Sequence, residues 1–382
     1  MTVLDCHHFA AQRCRSCSLL DLSAEQAHQR QLQVLRDALP ALCEFDSPVW
    51  CNTPGGTRIR GRLAVAGSAD SPVFGFFNDD HKVVPAADCP LHNSLITDSL
   101  EWLQHFVRAA RLEPYSPETD RGELKFIVLT ASPSAGQLMV QWVLRSRESV
   151  DRVRSVWRRL SVVERGCVAV MSAGVQPKRS SQITCEVDFS ISDQQMLEIA
   201  WTEPAVSLFV APGSFVQSNY QIAGALYAAA AAKLQELRPR RVLDLYCGSG
   251  AFALLAAQTH AEVLGVDVSP SSIECARAAA ARHNLPAEFR VCPAGTLQSS
   301  EFPQRFDVVI CNPPRGGLDT ATVNLLRELE PASILYSSCN PTTLARDLQL
   351  LSDRYAAAWM RPFEMFPATT HWEVLCQASV LS

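Results

Sequence analysis

The chain has 382 residues, 47% hydrophobic and 19% charged, with a formal net charge of −5. That profile is of an ordinary globular protein long enough for two domains, and its acidic balance excludes indiscriminate polyanion binding while leaving RNA open through a local basic face. No run of 18 apolar residues and no basic segment followed by an apolar stretch at the start is present, so neither a membrane-spanning helix nor a signal peptide is expected, and the cytoplasm is the expected location.

In chain order, residues 24–37 read as a polar amphipathic helix, and 58–66 and 73–77 as strands between glycines. Residues 98–111 read as a helix that stops before Pro114. Segments 125–131 and 138–145 are strand-like and are joined by Ser132-Pro133-Ser134-Ala135-Gly136, which predicts a hairpin, followed by a helix over 148–160. The first half is therefore expected to be an α+β region. Arg58, Arg60 and Arg62, spaced by two, would share one strand face and offer a basic surface, as would Arg145, Arg147, Arg152, Arg154, Arg158 and Arg159.

The pattern then changes. A helix over 219–237 precedes strands 242–246 and 263–267, a helix 270–283, strands 287–292 and 306–311, helix 319–329, strand 333–338 and helix 341–353, with strands 355–360 and 372–381 at the end. This alternation predicts a mostly parallel sheet covered by helices on both faces, with ligands at the carboxyl ends of its strands. The boundary is expected at 205/206, giving domains 1–205 and 206–382.

Chemistry concentrates at those strand ends. Asp244-Leu245-Tyr246-Cys247-Gly248-Ser249-Gly250 is a glycine turn after the first strand, and Asp267, nineteen residues beyond Gly248, ends the second. An acid there can accept the ribose hydroxyls of an adenosine, so the pair fits S-adenosylmethionine or a nicotinamide cofactor. Asn312-Pro313-Pro314-Arg315, ending the 306–311 strand, favours the methyltransferase. Asn-Pro-Pro commonly accompanies methylation of an exocyclic amine, which needs no nucleophile. Here, however, Ser337-Ser338-Cys339-Asn340-Pro341 places a cysteine at the sheet edge beside a helix start, where a thiolate is expected to be favoured, and His371-Trp372-Glu373 brings an acid where the last strand begins. Methylation of C5 of a uracil needs this pair: a thiolate adds to C6, C5 takes the methyl group, and a base removes the C5 proton so that the thiolate can leave.

Ten of the fourteen cysteines (Cys43, Cys51, Cys167, Cys185, Cys247, Cys275, Cys292, Cys311, Cys339 and Cys376) are scattered, most in apolar surroundings that suit small buried hydrophobes. The other four are Cys6, Cys14, Cys17 and Cys89.

Gln217 in Ser214-Phe215-Val216-Gln217-Ser218-Asn219, Asp244 to Gly248, Asn312 to Arg315, Ser337 to Asn340, and Phe366-Pro367 with His371-Trp372-Glu373 occur in an order that resembles the bacterial RNA uracil C5-methyltransferases, over essentially the whole chain. The resemblance implies a class I methyltransferase domain of Rossmann-like fold behind an N-terminal α+β iron–sulfur and RNA-binding domain. It implies Cys339 as nucleophile, Glu373 as proton acceptor, and Gln217, Tyr246, Asp267 and Asn312 as contacts to S-adenosylmethionine. It also implies Cys6, Cys14, Cys17 and Cys89 as ligands of a [4Fe-4S] cluster, although their spacing alone would admit zinc. The start of the cysteines at Cys6 leaves no room for an extra barrel domain before them, which resembles the shortest branch, acting on 23S ribosomal RNA. Departures are Gly56-Thr57-Arg58-Ile59-Arg60 in place of the usual Phe-Arg-Asn-Lys, and Pro293 near the place of an acid. The chain is expected to be a monomer without membrane association. The rival expectations are the same chemistry on the transfer-RNA T-loop, and a non-catalytic iron–sulfur RNA-binding protein.

Overall fold

The computed structural model describes residues 4–39, 44–78, 82–176, 185 and 187–381. Cys43 lies outside the described residues. The first helices are α1 (His7–Ala10) and α2 (Ala24–Ala38). α2 starts at a capping box in which Ser23 Oγ accepts from the Gln26 N–H and the Gln26 side chain accepts from the Ser23 N–H.

A seven-stranded sheet follows, in the order β3-β2-β1-β4-β5-β6-β7. Its strands are β1 (Arg60–Gly67), β2 (Pro72–Phe77), β3 (Val83–Pro85), β4 (Leu124–Ser132), β5 (Gln137–Leu144), β6 (Val168–Val175) and β7 (Val187–Ser190). Helices α3 (Ser94–Thr97) and α4 (Leu100–Ala110) precede β4, while α5 (Arg147–Arg159) and α6 (Val162–Arg165) cross from β5 to β6. That helical crossover makes β5 and β6 the parallel pair of an otherwise antiparallel sheet. The hairpin predicted around residues 132–136 is β4–β5. The strands not expected from the sequence are β3 and β6 to β9. β6 reads Val-Ala-Val-Met-Ser-Ala-Gly-Val, too rich in small residues to signal a strand, and β7 is a short, mostly exposed edge.

A two-stranded hairpin, β8 (Leu197–Trp201) and β9 (Val206–Val210), leads into the α/β half. Residue 205 falls in its turn, next to the cis Glu203–Pro204 peptide. The second seven-stranded sheet has the order β12-β11-β10-β13-β14-β16-β15. Its strands are β10 (Arg241–Leu245), β11 (Glu262–Asp267), β12 (Ala287–Val291), β13 (Val308–Cys311), β14 (Ser333–Ser338), β15 (Tyr355–Phe363) and β16 (Glu373–Val380). The pairs from β12 through β14 are parallel, and β16 is antiparallel to both its neighbours, so the sheet is mostly parallel as expected.

Helices α7 (Tyr220–Leu237), α8 (Ala251–Ala257), α9 (Pro270–Arg282), α10 (Thr320–Leu329) and α11 (Pro341–Leu350) cover this sheet. Their N-caps are chemically specified: Asn219, Ser269, Asp319 and Asn340 each accept a backbone N–H of the first turn, and Pro270 and Pro341 sit where the missing donor costs nothing. One apolar core runs from Leu129 and Trp142 of the first sheet through Ile222 and Tyr227 of α7 to Phe252 of α8. A second lies on the other side of the α/β sheet and joins Leu243, Val309, Ile334 and Tyr336 to Leu35 of α2.

Polar ties fix α2 there. Gln31 Nε2 donates to Glu364 Oε1 (2.9 Å) and to the Thr369 carbonyl (2.8 Å), and Trp372 Nε1 donates to the Gln31 carbonyl (3.1 Å). Glu364 Oε2 accepts the Cys51 N–H (2.9 Å). Just past the early cysteines, the Leu19 N–H donates to the Ala368 carbonyl (3.0 Å). Among the described residues no helix is long and apolar enough to cross a membrane.

Candidate active site and cysteine centre

Parallel strands end together, so the sheet delivers its terminal residues to one edge. β11 contributes Asp267, β10 leads into Tyr246 and the glycine turn, β13 leads into Asn312, and β14 into Cys339. β16 runs the opposite way and begins at this same edge. Its register pairs Ser338 with Val374, which brings Glu373 to the level of Cys339 across the strand pair. Two residues 34 positions apart in sequence thus become neighbours because one strand is reversed.

The glycine turn is built for close approach. Tyr246 takes φ +61°, Gly248 +53° and Gly250 +86°. A side chain on Gly248 would meet nothing within 4 Å, so open space lies above the turn, whereas one on Gly250 would collide with Ala276 and Phe289. The Asp267 carboxylate braces the turn by accepting the Gly248 N–H (2.9 Å) and the Ser269 N–H (2.8 Å). It was expected to serve ribose hydroxyls; the remaining lone pairs of the two oxygens are what it has for them. The Tyr246 hydroxyl is hydrogen-bonded to Thr322 Oγ1 at 2.9 Å, and burial pushes it up to about 12. Asn312 ends β13 half-buried, and Gln217 is buried in the loop between β9 and α7.

Asp244, under the turn, is fully buried, and neither of its oxygens has a partner in hydrogen-bond geometry among the described residues. Burial holds its carboxyl well above the usual range; the Ala253 N–H opposes that shift and the Asp267 charge adds to it. An acid kept at such cost at the foot of an open glycine turn suits a site that receives a cationic or hydrogen-bonding ligand.

Cys339 is half-buried. The helix start beside it was expected to favour thiolate, but burial dominates and pushes the thiol up, with the Glu373 charge adding to the rise. The Arg315 guanidinium, next to Cys339, works in the opposite direction. Glu373 is 2% exposed, and burial raises its carboxyl to about 7 against the lowering effect of Ser337, whose Oγ donates to Glu373 Oε1 at 2.5 Å. A poised base therefore stands beside a thiol that needs a nearby positive charge to ionise.

The Asn-Pro-Pro-Arg loop is held by groups that the sequence motifs do not include. Asp347, fully buried, accepts the Leu318 N–H and the Tyr336 hydroxyl (both 2.7 Å) on Oδ2, and Arg346 on Oδ1. Arg346 reaches on to the Gly316 carbonyl (2.8 Å), and Asn340 Nδ2 donates to the Arg315 carbonyl (3.3 Å). An Arg-Asp pair one turn inside a helix that follows a nucleophile motif was the available signal.

Cys6, Cys14, Cys17 and Cys89 all line one cavity together with Arg58, Phe76 and Leu91. Burial pushes the Cys17 thiol up to about 11, with Arg58 opposing and the other three cysteines adding to the rise. The segments carrying the cysteines are clipped by His8 Nε2 and Asp88 Oδ1 at 2.7 Å. His7, His8 and Asp88 bring their ligand atoms within 4.8 Å of one another; the four thiols form no such tight group among the described residues. Of the first basic group, Arg60 donates to the Ser214 carbonyl and Arg62 lies 3.8 Å over the Phe126 ring, both half-buried on the one β1 face their spacing predicted.

The 23S rRNA (uracil(747)-C(5))-methyltransferase RlmC of Yersinia enterocolitica is 33% identical over 376 residues, 97% of this chain and 98% of that one. The chain belongs to the RNA uracil C5-methyltransferase family. Its counterpart RlmC in Proteus mirabilis is 34% identical over 380 residues, again 97% and 98% of the two chains. A family model described as tRNA (Uracil-5-)-methyltransferase matches residues 181–291, and one described as a methyltransferase domain matches 238–361. Among solved structures, the Pyrococcus abyssi tRNA (uracil-54, C5)-methyltransferase in complex with S-adenosyl-L-homocysteine superposes with a TM-score of 0.76 and 25% identity, covering 95% of this chain and 85% of that one. The α/β half is accordingly the class I methyltransferase fold of this uracil C5-methyltransferase family, and the enzyme depends on S-adenosylmethionine.

Proposed function

We propose that the protein methylates C5 of a uracil in 23S ribosomal RNA, at the position corresponding to uracil-747, through a covalent bond from Cys339 to C6. The family membership and the near full-length RlmC relatives support the reaction and the ribosomal substrate. The observation that carries the mechanism is the meeting of Cys339 and Glu373, where β14 ends and β16 begins.

In this reading the Arg315 guanidinium and the start of α11 favour the Cys339 thiolate once the target base is in place. The thiolate adds to C6, and the electron pair of the C5–C6 double bond moves to an enolate. S-adenosylmethionine would supply the methyl group that C5 takes, its sulfonium becoming the thioether of S-adenosylhomocysteine. Glu373 removes the C5 proton, the double bond re-forms and the Cys339–C6 bond breaks, which restores the thiolate and leaves 5-methyluridine. Gln217, Tyr246, Asp267 and Asn312, with the open turn at Gly248, would hold the cofactor.

Residues 1–205 would form the RNA-binding domain and 206–382 the methyltransferase domain of a cytoplasmic monomer. Cys6, Cys14, Cys17 and Cys89 would hold a [4Fe-4S] cluster that ties residues 6–17 to residue 89 and fixes the RNA-binding domain. Their chemistry supports this: four half-buried thiols, a donor set that suits a soft metal, line one cavity. Replacing Cys89 by Ser is expected to remove the brown colour and most of the bound iron and inorganic sulfide from anaerobically purified protein. Zinc in place of iron in the unaltered protein would overturn the assignment.

The deciding experiment for the substrate is transfer of labelled methyl from S-adenosylmethionine to protein-free 23S RNA and to bulk transfer RNA, followed by nucleoside analysis. Label as 5-methyluridine in 23S RNA alone is expected. Label in transfer RNA would move the substrate to that of the Pyrococcus structural relative and keep the chemistry.

A further inference from the structure

The base that must take the C5 proton is buried, and a serine holds it there. Ser337 is fully buried, and its Oγ donates to Glu373 Oε1 at 2.5 Å. Ser337 and Cys339 are two residues apart at the end of β14, so they project to the same side of the sheet. Ser337 is paired with Leu375 in the antiparallel register, which makes Glu373 its diagonal neighbour on that side. One strand end therefore carries both the nucleophile and the anchor of the base, at a spacing set by the pleat.

We propose that Ser337 is a positioning residue for the general base: its hydroxyl holds Glu373 Oε1 and leaves Oε2 to take the C5 proton of the Cys339-bound uracil. This rests on the covalent reading above. The other titratable groups near Glu373 cannot do the same work. Cys339 stands across from it on the turn into α11, and Tyr227 comes from α7; burial pushes both up, so both are neutral near pH 7. Glu364, which precedes β16, already accepts from Gln31 and the Cys51 N–H. A hydroxyl donor favours the ionised carboxylate, and burial has already raised Glu373 to about 7. Without Ser337 the carboxyl would rise further, and less of it would be ionised when the proton has to leave.

The test separates two steps in a single turnover of RNA and labelled S-adenosylmethionine: formation of the methylated protein–RNA adduct and its decay, measured from about pH 6 to 9. Ser337→Ala is expected to form adduct at close to the rate of the unaltered protein. Its decay at pH 7 should be slower by about ten-fold, with the midpoint of the decay profile moved to higher pH. Ser337→Thr, which keeps the hydroxyl, should restore both, and Ser337→Cys fills the space without a strong donor should the alanine variant fail to fold. Decay with the original rate and pH profile, or formation and decay falling together as a merely structural loss would make them, overturns the proposal. Absence of any adduct in the unaltered protein and in Glu373→Gln would instead bring down the covalent reading on which it stands.

Discussion

Replacing Glu373 with glutamine is expected to arrest the reaction after methyl transfer. The glutamine keeps the shape and can still accept from Ser337 Oγ, but it cannot take a proton. Methyl should reach C5, and the elimination that frees Cys339 should slow by about 10²- to 10⁴-fold, the usual contribution of a general base. Labelled RNA would then run with the protein on a denaturing gel, carrying the methyl group. Recovery of only free, unmethylated RNA would count against the role.

The same variant should be more stable than the unaltered protein at pH 8. Burial raises the folded-state carboxyl of Glu373 from an ordinary 4.5 to about 7, so the stability it contributes is complete below pH 4.5 and is lost as pH rises through 7. Glutamine carries no such loss. Chemical denaturation should show the two proteins converging below pH 4.5 and the variant ahead by about 3 kcal/mol at pH 8. A protein that gains stability while losing turnover cannot owe its inactivity to unfolding.

Cys339→Ala is expected to abolish both methylation and the adduct, a loss of about 10⁴-fold or more, because C5 of uracil has no useful nucleophilicity until a thiolate adds at C6. Cys339→Ser should fare no better, since its far less acidic hydroxyl stays protonated where burial outweighs the Arg315 charge even for a thiol. Both variants should still bind S-adenosylmethionine with the original affinity, measured by calorimetry, because the cofactor's candidate contacts lie on other strands. Full methylation by the alanine variant would point to the amino-nitrogen chemistry that Asn-Pro-Pro more often serves.

Much of the site is legible in the amino-acid sequence, for a chemical reason. Methylation of C5 demands one nucleophile and one base, and Cys339 and Glu373 stand at segment ends where an α/β sheet gathers its ligands. Strand and helix alternation beyond residue 210 is equally plain, since buried parallel strands are continuous apolar runs such as Val242-Leu243 and Val308-Val309-Ile310. The ionisation of Cys339 departs from expectation because burial cannot be read from its neighbours in sequence, and here it outweighs the helix start. The Ser337–Glu373 bond depends on the reversal of β16, which relates residues 36 apart. Asp347 gives only the faint signal of its pairing with Arg346, because a carboxylate in mid-helix looks solvated until the loop it accepts from is folded against it. The small-residue strand β6 and the edge β7 carry no hydrophobic period to find.

The ties from α2 and Leu19 to the 364–372 segment bear on how the gene could be cut into working parts. Leu35 fills a slot in the far core of the α/β sheet, Gln31 satisfies Glu364 and the Thr369 carbonyl, and Trp372 leans on the Gln31 carbonyl, directly before the base. A fragment beginning at residue 206 would carry every strand of its sheet and still lack these lining groups, leaving a buried carboxylate unpaired and an apolar slot open to water. The catalytic half is thus completed by the opposite end of the chain, and a split enzyme would have to receive from that end both α2 and the segment carrying Cys51.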